Sequence, residues 1–95
     1  MVNLSYHNIK IEKAEDSKEV VVKGEITNNS DKTFATVAVR IVLFIRSVTV
    51  ANLVFTVNGL SIGATKVFKK TIDDLEYDQV GKDINRYDIY TETAF

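Results

Sequence analysis

The chain has no cysteine, no proline and no tryptophan, and its 95 residues include one histidine and four glycines. Without cysteine, disulfide frameworks and thiolate metal centres are excluded. That absence fits the cytoplasm and equally the surface of many bacteria, so it leaves the compartment open. No segment holds the ~18 consecutive apolar residues that a membrane-spanning helix requires. The longest apolar run, Val37 to Phe44, is short and interrupted by Arg40. The opening Met1-Val2-Asn3-Leu4-Ser5-Tyr6-His7 lacks the basic start and apolar core of a signal peptide. A strand pattern that begins almost at once after Met1 is what a domain excised from a longer surface protein presents. A whole cytoplasmic chain is the alternative.

The chemistry-bearing residues are as sparse. A catalytic histidine needs an orienting partner and a nucleophile within reach, and His7 has no carboxylate beside it in sequence. There is no Gly-x-Ser-x-Gly elbow to present a serine. A net charge of −1 argues against a general polyanion binder, because nucleic-acid affinity rests on a surplus of Lys and Arg. Lys66, Lys69 and Lys70 form a small basic group, but alternation along a strand puts Lys69 opposite the other two. Lysines so placed discourage edge-to-edge pairing. Sheet surfaces that read nucleic acid interleave aromatics with basic residues, whereas Tyr87 and Tyr90 fall on opposite faces of one strand. The acidic group Asp73, Asp74, Glu76, Asp78 and Asp83 raises a calcium reading, since calcium takes several carboxylate oxygens. Its spacing matches no EF-hand loop, and Lys82 and Arg86 lie close by, so a solvated loop is expected. Enzymatic activity is not expected, and the sequence assigns no catalytic, cofactor-binding or metal-ligating residue.

What the chain has is β pattern. With 45% hydrophobic and 26% charged residues it reads as one globular domain spanning 1–95. Asn8 to Glu12 alternates, with Ile9 and Ile11 on one face. After a charged turn at Ala14 to Lys18, a second strand covers Glu19 to Thr27. Val20, Val22 and Ile26 face inward on it, and Val21, Lys23 and Glu25 face the other way. Gly24 interrupts the inner face and signals a bulge or a close approach of neighbouring chain. Asn28-Asn29-Ser30-Asp31 is a turn, because Asn, Ser and Asp bond their own backbone and tolerate left-handed conformations.

The third strand runs from about Phe34 to Ile45, with Val37, Val39, Ile41 and Leu43 inward. Arg46-Ser47 permits a tight reversal into Val48 to Val57, where Leu53, Phe55 and Val57 share a face. A loop with Leu60 tucked inward follows, then a strand over roughly Thr65 to Ile72 and a last one over Arg86 to Thr93. The intervening polar stretch has room for a single helical turn around Leu75 to Val80, limited by Gly81. Six or seven short, mostly antiparallel strands at this spacing predict an all-β, immunoglobulin-like β-sandwich, with a five-stranded partly open barrel as the competing architecture. The expected core is Val20, Val22, Ile26, Val37, Val39, Ile41, Leu43, Leu53, Phe55, Phe68 and Ile89.

The order Gly24-Glu25-Ile26-Thr27-Asn28-Asn29-Ser30, a valine-rich strand, then Leu60-Ser61-Ile62-Gly63-Ala64-Thr65 resembles the FxLYD-type domains of bacterial and archaeal surface proteins and lipoproteins. These pair a G-x-v-x-N-x-s turn with a later L-x-P-G-e-t turn. The similarity covers roughly Val20 to Phe68 and is that of a divergent member. At the motif that names the family only Leu43 is kept, and Ile62 stands in place of the proline. The resemblance implies an Ig-like sandwich and brings no enzymatic activity, cofactor or functional residue.

The surface that draws attention is the outward side of the third strand, where Ala38, Val42 and Phe44 would face solvent. Apolar patches on a monomer mark interfaces. A homodimer through this face and cover by the loop around Leu75 and Tyr77 are both open. The expected role is a non-catalytic interaction or spacer module at the cell surface, attached through a segment outside this chain. Its partner would be a protein or a component of the cell envelope. A small cytoplasmic regulatory or assembly subunit is the alternative.

Overall fold

The alternation of β-branched and polar residues becomes six antiparallel strands in the computed structural model, which describes residues 2–95. They are β1 (Leu4–Lys13), β2 (Glu19–Asn28), β3 (Phe34–Ile45), β4 (Val48–Leu60), β5 (Thr65–Glu76) and β6 (Arg86–Ala94). One sheet has the order β1-β2-β5 and the other β4-β3-β6. Two separate three-stranded sheets make a β-sandwich, not a barrel.

Each sheet turns one face inward, and the inward stripes of the two central strands supply most of the core. Val20, Val22 and Ile26 of β2 and Val37, Val39, Ile41 and Leu43 of β3 are all buried, together with Phe34, Val57, Leu60, Phe68 and Ile72. Leu53, Phe55 and Ile89 also point inward but stay half-buried, because β4 and β6 are edge strands with solvent on one flank. Burying a side chain such as Leu or Ile contributes about 1.5–3 kcal/mol, so these central stripes carry much of the stability. Val21 faces away from the core stripe, as its parity implies. It is nevertheless fully buried, with Glu12 and Thr71 opposite it and the Lys23–Glu12 ion pair (3.1 Å) beside it. The stems of long charged side chains cover apolar surface in this way.

Three segments extend further than their polarity suggests. β1 begins at Leu4, β4 runs on through Asn58 and Gly59 so that Leu60 ends a strand instead of sitting in a loop, and β5 continues through Asp73, Asp74 and Leu75 to Glu76. The β2–β5 register shifts there, so that Glu76 pairs with Glu19 while Ile72 pairs with Val20. Exposed acids at a sheet edge keep their hydration, so they do not oppose strand formation. The expected helical turn at Leu75 to Val80 is replaced by the end of β5, one Val80 N–H to Glu76 carbonyl bond (2.9 Å) and a 3₁₀ turn at Gly81–Asp83. The β3–β4 reversal does occur at Arg46-Ser47, with Arg46 at φ 59° and its N–H bonded to Asn85 Oδ1 (2.8 Å).

Gly24 marks both features that a glycine within a strand suggests. Opposite it, β1 is bulged: His7 pairs with Glu25 and Lys10 with Lys23, leaving Asn8 and Ile9 facing one residue. Asn8 takes up the bulge with φ 55°. The extra residue switches parity, so Leu4 and Tyr6 before it and Ile9 and Ile11 after it all pack on the core. Ile9 and Phe68 fill the space a side chain at Gly24 would occupy: a Cβ there would lie 2.4 Å from Ile9 Cδ1 and 2.7 Å from Phe68 Cζ.

Across the sandwich flank, the Tyr6 hydroxyl bonds Thr91 Oγ1 (2.6 Å) and ties β1 to β6. Burial pushes the Tyr6 pKa above its ordinary value of 10.0, and the bond to Thr91 opposes part of that rise. A group whose folded pKa is raised contributes stability below its unfolded pKa and loses that contribution as pH climbs through the folded one.

Gly24→Ala should therefore destabilise the domain by about 1–3 kcal/mol through overpacking, read as a lower urea midpoint. In an alkaline titration of phenolate absorbance, Tyr6 should ionise late, above the ordinary tyrosine value. Tyr6→Phe should remove that late component and flatten the loss of stability above pH 10.

Candidate interaction face

The outer side of β3 presents Ala38, Arg40, Val42 and Phe44, all half-buried. Strand register sets their neighbours. Ala38 lies between Thr56 and Thr93, Arg40 between Val54 and Tyr90, Val42 between Asn52 and Asp88, and Phe44 between Thr49 and Arg86. The three expected interface residues therefore share one face but do not form a continuous apolar patch. Arg40 divides them, held by Glu92 and Asn52. The Arg86 guanidinium lies 4.1 Å from the centre of the Phe44 ring, a cation–π contact that covers the aromatic face.

The loop at Leu75 and Tyr77 does not cover these residues; both side chains pack on the core instead. Tyr77 is fixed by its N–H to the Lys18 carbonyl (2.8 Å) and sits close against Gly81. The large exposed hydrophobic groups on this face are Val54 (42% exposed) and Tyr90 (47%), flanking Arg40. The face is thus a mixed aromatic, aliphatic and arginine surface, a composition that protein interfaces favour.

The remaining polar groups fall into two structural sets. On the outer side of the first sheet, His7 Nε2 bonds Thr27 Oγ1 (2.9 Å), which bonds Thr65 Oγ1 (2.7 Å), a ladder across β1, β2 and β5. Glu25 lies 3.9 Å from the same imidazole nitrogen, Nε2. In a catalytic relay the carboxylate holds the opposite ring nitrogen, so this geometry is a cross-strand ladder. The acids of the 73–83 segment are spread apart, Asp73 and Asp74 on β5 and Asp83 in the 3₁₀ turn. Among the described residues no three metal-ligating side chains of His or acid type converge. Asp78 is exposed and pairs with Lys13 (2.9 Å), whose hydrogen bond and charge hold its carboxyl below the usual range.

The second set is centred on Asn28, which is fully buried at the end of β2. Its Nδ2 donates to the carbonyls of Lys32 (2.8 Å) and Leu60 (3.1 Å), and its Oδ1 accepts from the Ser30 N–H (2.9 Å). Its main chain joins Ala64 and Gly63: the Asn28 N–H donates to the Ala64 carbonyl (3.0 Å), and the Gly63 N–H donates to the Asn28 carbonyl (2.9 Å). Gly63 accommodates the turn at φ 75°. Ser30 extends the junction to the N-terminal segment, accepting from the Asn3 N–H (2.6 Å). A turn-forming residue was legible at Asn28. Its burial was signalled by parity, since Asn28 continues the inward series Val20, Val22, Gly24, Ile26.

Comparison with protein-family models, curated proteins and solved structures returns no match to this chain.

Asn28→Ala should cost about 2–4 kcal/mol, because two carbonyls and one N–H lose their buried partner. Asn28→Asp should be equally unstable at neutral pH but recover in part as pH falls. Burial among carbonyls raises the new carboxyl's folded pKa, so its stability is kept in acid and lost as pH rises. Urea melts across the acid range measure both.

Proposed function

We propose that this chain is a non-catalytic, Ig-like β-sandwich module of a bacterial or archaeal cell-surface or membrane-anchored protein, a divergent relative of the FxLYD-type domains. Its task is interaction, spacing or display. Two observations support the reading. The strand order β1-β2-β5 facing β4-β3-β6 corresponds to A-B-E facing C′-C-F in an Ig-like Greek key. The observation that carries most weight is the Asn28 junction. The two segments that resemble the family motifs are far apart in sequence. Here they are bonded to each other through Asn28, Leu60, Gly63 and Ala64.

In that setting the function resides in surface residues displayed on a rigid frame, because outward positions vary without disturbing the core. The outer face around Ala38, Val42 and Phe44, with Val54 and Tyr90, is the surface we assign to a protein partner or a cell-envelope component.

Antibodies raised against the folded domain should label intact, unpermeabilised cells of the source organism, and external protease should remove the signal. Antigen confined to the soluble lysate would favour a cytoplasmic regulatory or assembly subunit instead.

A further inference from the structure

The four edge strands differ in how they are protected against pairing. On one flank, β1 and β6 are both irregular and charged. β1 is bulged at Asn8 and Ile9 and carries Lys10, Glu12 and Lys13. β6 is bulged at Glu92 and carries Arg86 and Asp88. Bulges and charges are the usual means of blocking strand addition. The other flank is formed by β4 and β5, joined across the sandwich by the Phe55–Phe68 ring contact (5.2 Å) and by Lys66 bonding the Asn58 carbonyl.

β4 has one bulge, at Val50, and no charge to protect the rest of its length. It runs for 13 residues, Val48–Leu60, without one charged side chain, and among the described residues it pairs only with β3. Its inward Leu53 and Phe55 are left half-buried. Leu53 borders an open cleft of about 220 Å³ lined also by Lys70, Ile72, Asp73 and Asp74. Lys66 closes the Asn58 end of the edge, and the stretch before it is open.

β5, which lies over β4 on this flank, is electrically two-ended. Lys66, Lys69 and Lys70 occupy its first half, and Asp73, Asp74 and Glu76 its second. A strand with that pattern is complementary to an antiparallel copy of itself. We propose that the β4–β5 flank is a homodimer interface in which a second copy of this chain docks about a two-fold axis near Leu53 and Ile72. The β4 strands pair edge to edge and extend the second sheet to six strands. Lys69 and Lys70 of each copy face Asp73 and Asp74 of the other.

An isologous contact suits these features, because the same axis satisfies both charge sets at once and sets no like charges opposite on β4. The second copy also covers the exposed flanks of Leu53 and Phe55. An extended segment of another protein could add to β4, but only a second copy uses the charge pattern of β5. The inference supplies a partner for the interaction module proposed above and rests on that reading only in taking the domain to have an interface. Cell labelling and solution mass fail independently.

Sedimentation velocity and light scattering from micromolar to submillimolar protein should give twice the 10.7 kDa chain mass. Val54→Lys, which sets lysines near one another across the β4 pair, should weaken the dimer roughly tenfold or more. The double variants Lys69→Glu/Lys70→Glu and Asp73→Lys/Asp74→Lys should each be monomeric alone and dimerise when mixed. Misfolding would not be repaired by mixing. A wild-type chain that stays monomeric throughout would overturn the proposal. So would a dimer indifferent to these changes, including one dissociated only by Val42→Lys on the β3 face.

Discussion

Asn28 is the constraint on which the arrangement of this sandwich depends. One buried side chain bonds two carbonyls and one N–H from three places in the chain, and its main chain bonds the β4–β5 turn. A buried amide of this kind is valuable because its alternatives are poor: any displacement leaves several polar groups dry and unpaired. The β2–β3 loop, the end of β4 and the N-terminal segment are thereby fixed at one end of the molecule. The register of β2 against β5 at that end, Thr27 opposite Thr65, follows from the same bonds.

From that end the two inward stripes run the length of the sandwich. Gly24 permits the sheets' closest filling, with Ile9 and Phe68 in the space of its missing side chain. The β1 bulge opposite it lets Tyr6 and Ile9 both face inward despite their odd spacing. Tyr6 then reaches Thr91 and closes one flank. The opposite flank is closed less completely, by a ring contact and one lysine. The two flanks therefore differ: on one, β1 and β6 are tied by a side-chain bond, whereas the other sets an uncharged edge strand, β4, beside a charged one, β5.

Strand positions and inward stripes were legible because period-two alternation survives in β2 and β3, whose side chains meet the core on one face and solvent on the other. The inward burial of Leu60 was legible, but its place at the end of β4, paired with Phe34, was not. Nor were the ends of β1 and β5, since Ser5, Asp73 and Asp74 become strand only through main-chain pairing with β2. Val21 faces outward as its parity implies; its burial there was not legible, because alternation reports direction while burial on an outer face depends on the long side chains beside it. Ala38, Val42 and Phe44 do share a face, as their spacing implies. That Arg40 divides them and Arg86 covers Phe44 could not be read locally, because Glu92 and Arg86 arrive from β6, some fifty and forty residues away.

By itself the sequence determined the all-β class, the place of the turns and which side of each central strand is apolar, because these follow from local propensity and alternation. It also determined that β4 is uncharged; that the acids after Ile72 join the lysines on β5 came from pairing with β2. Only the tertiary structure decided that these two strands share a flank, that Asn28 is a buried junction and that the outer face of β3 is divided by cations. The reason is common to all three. Strand order and sheet packing bring together residues that no local pattern relates, and electrostatic and hydrogen-bond partners are chosen by that proximity.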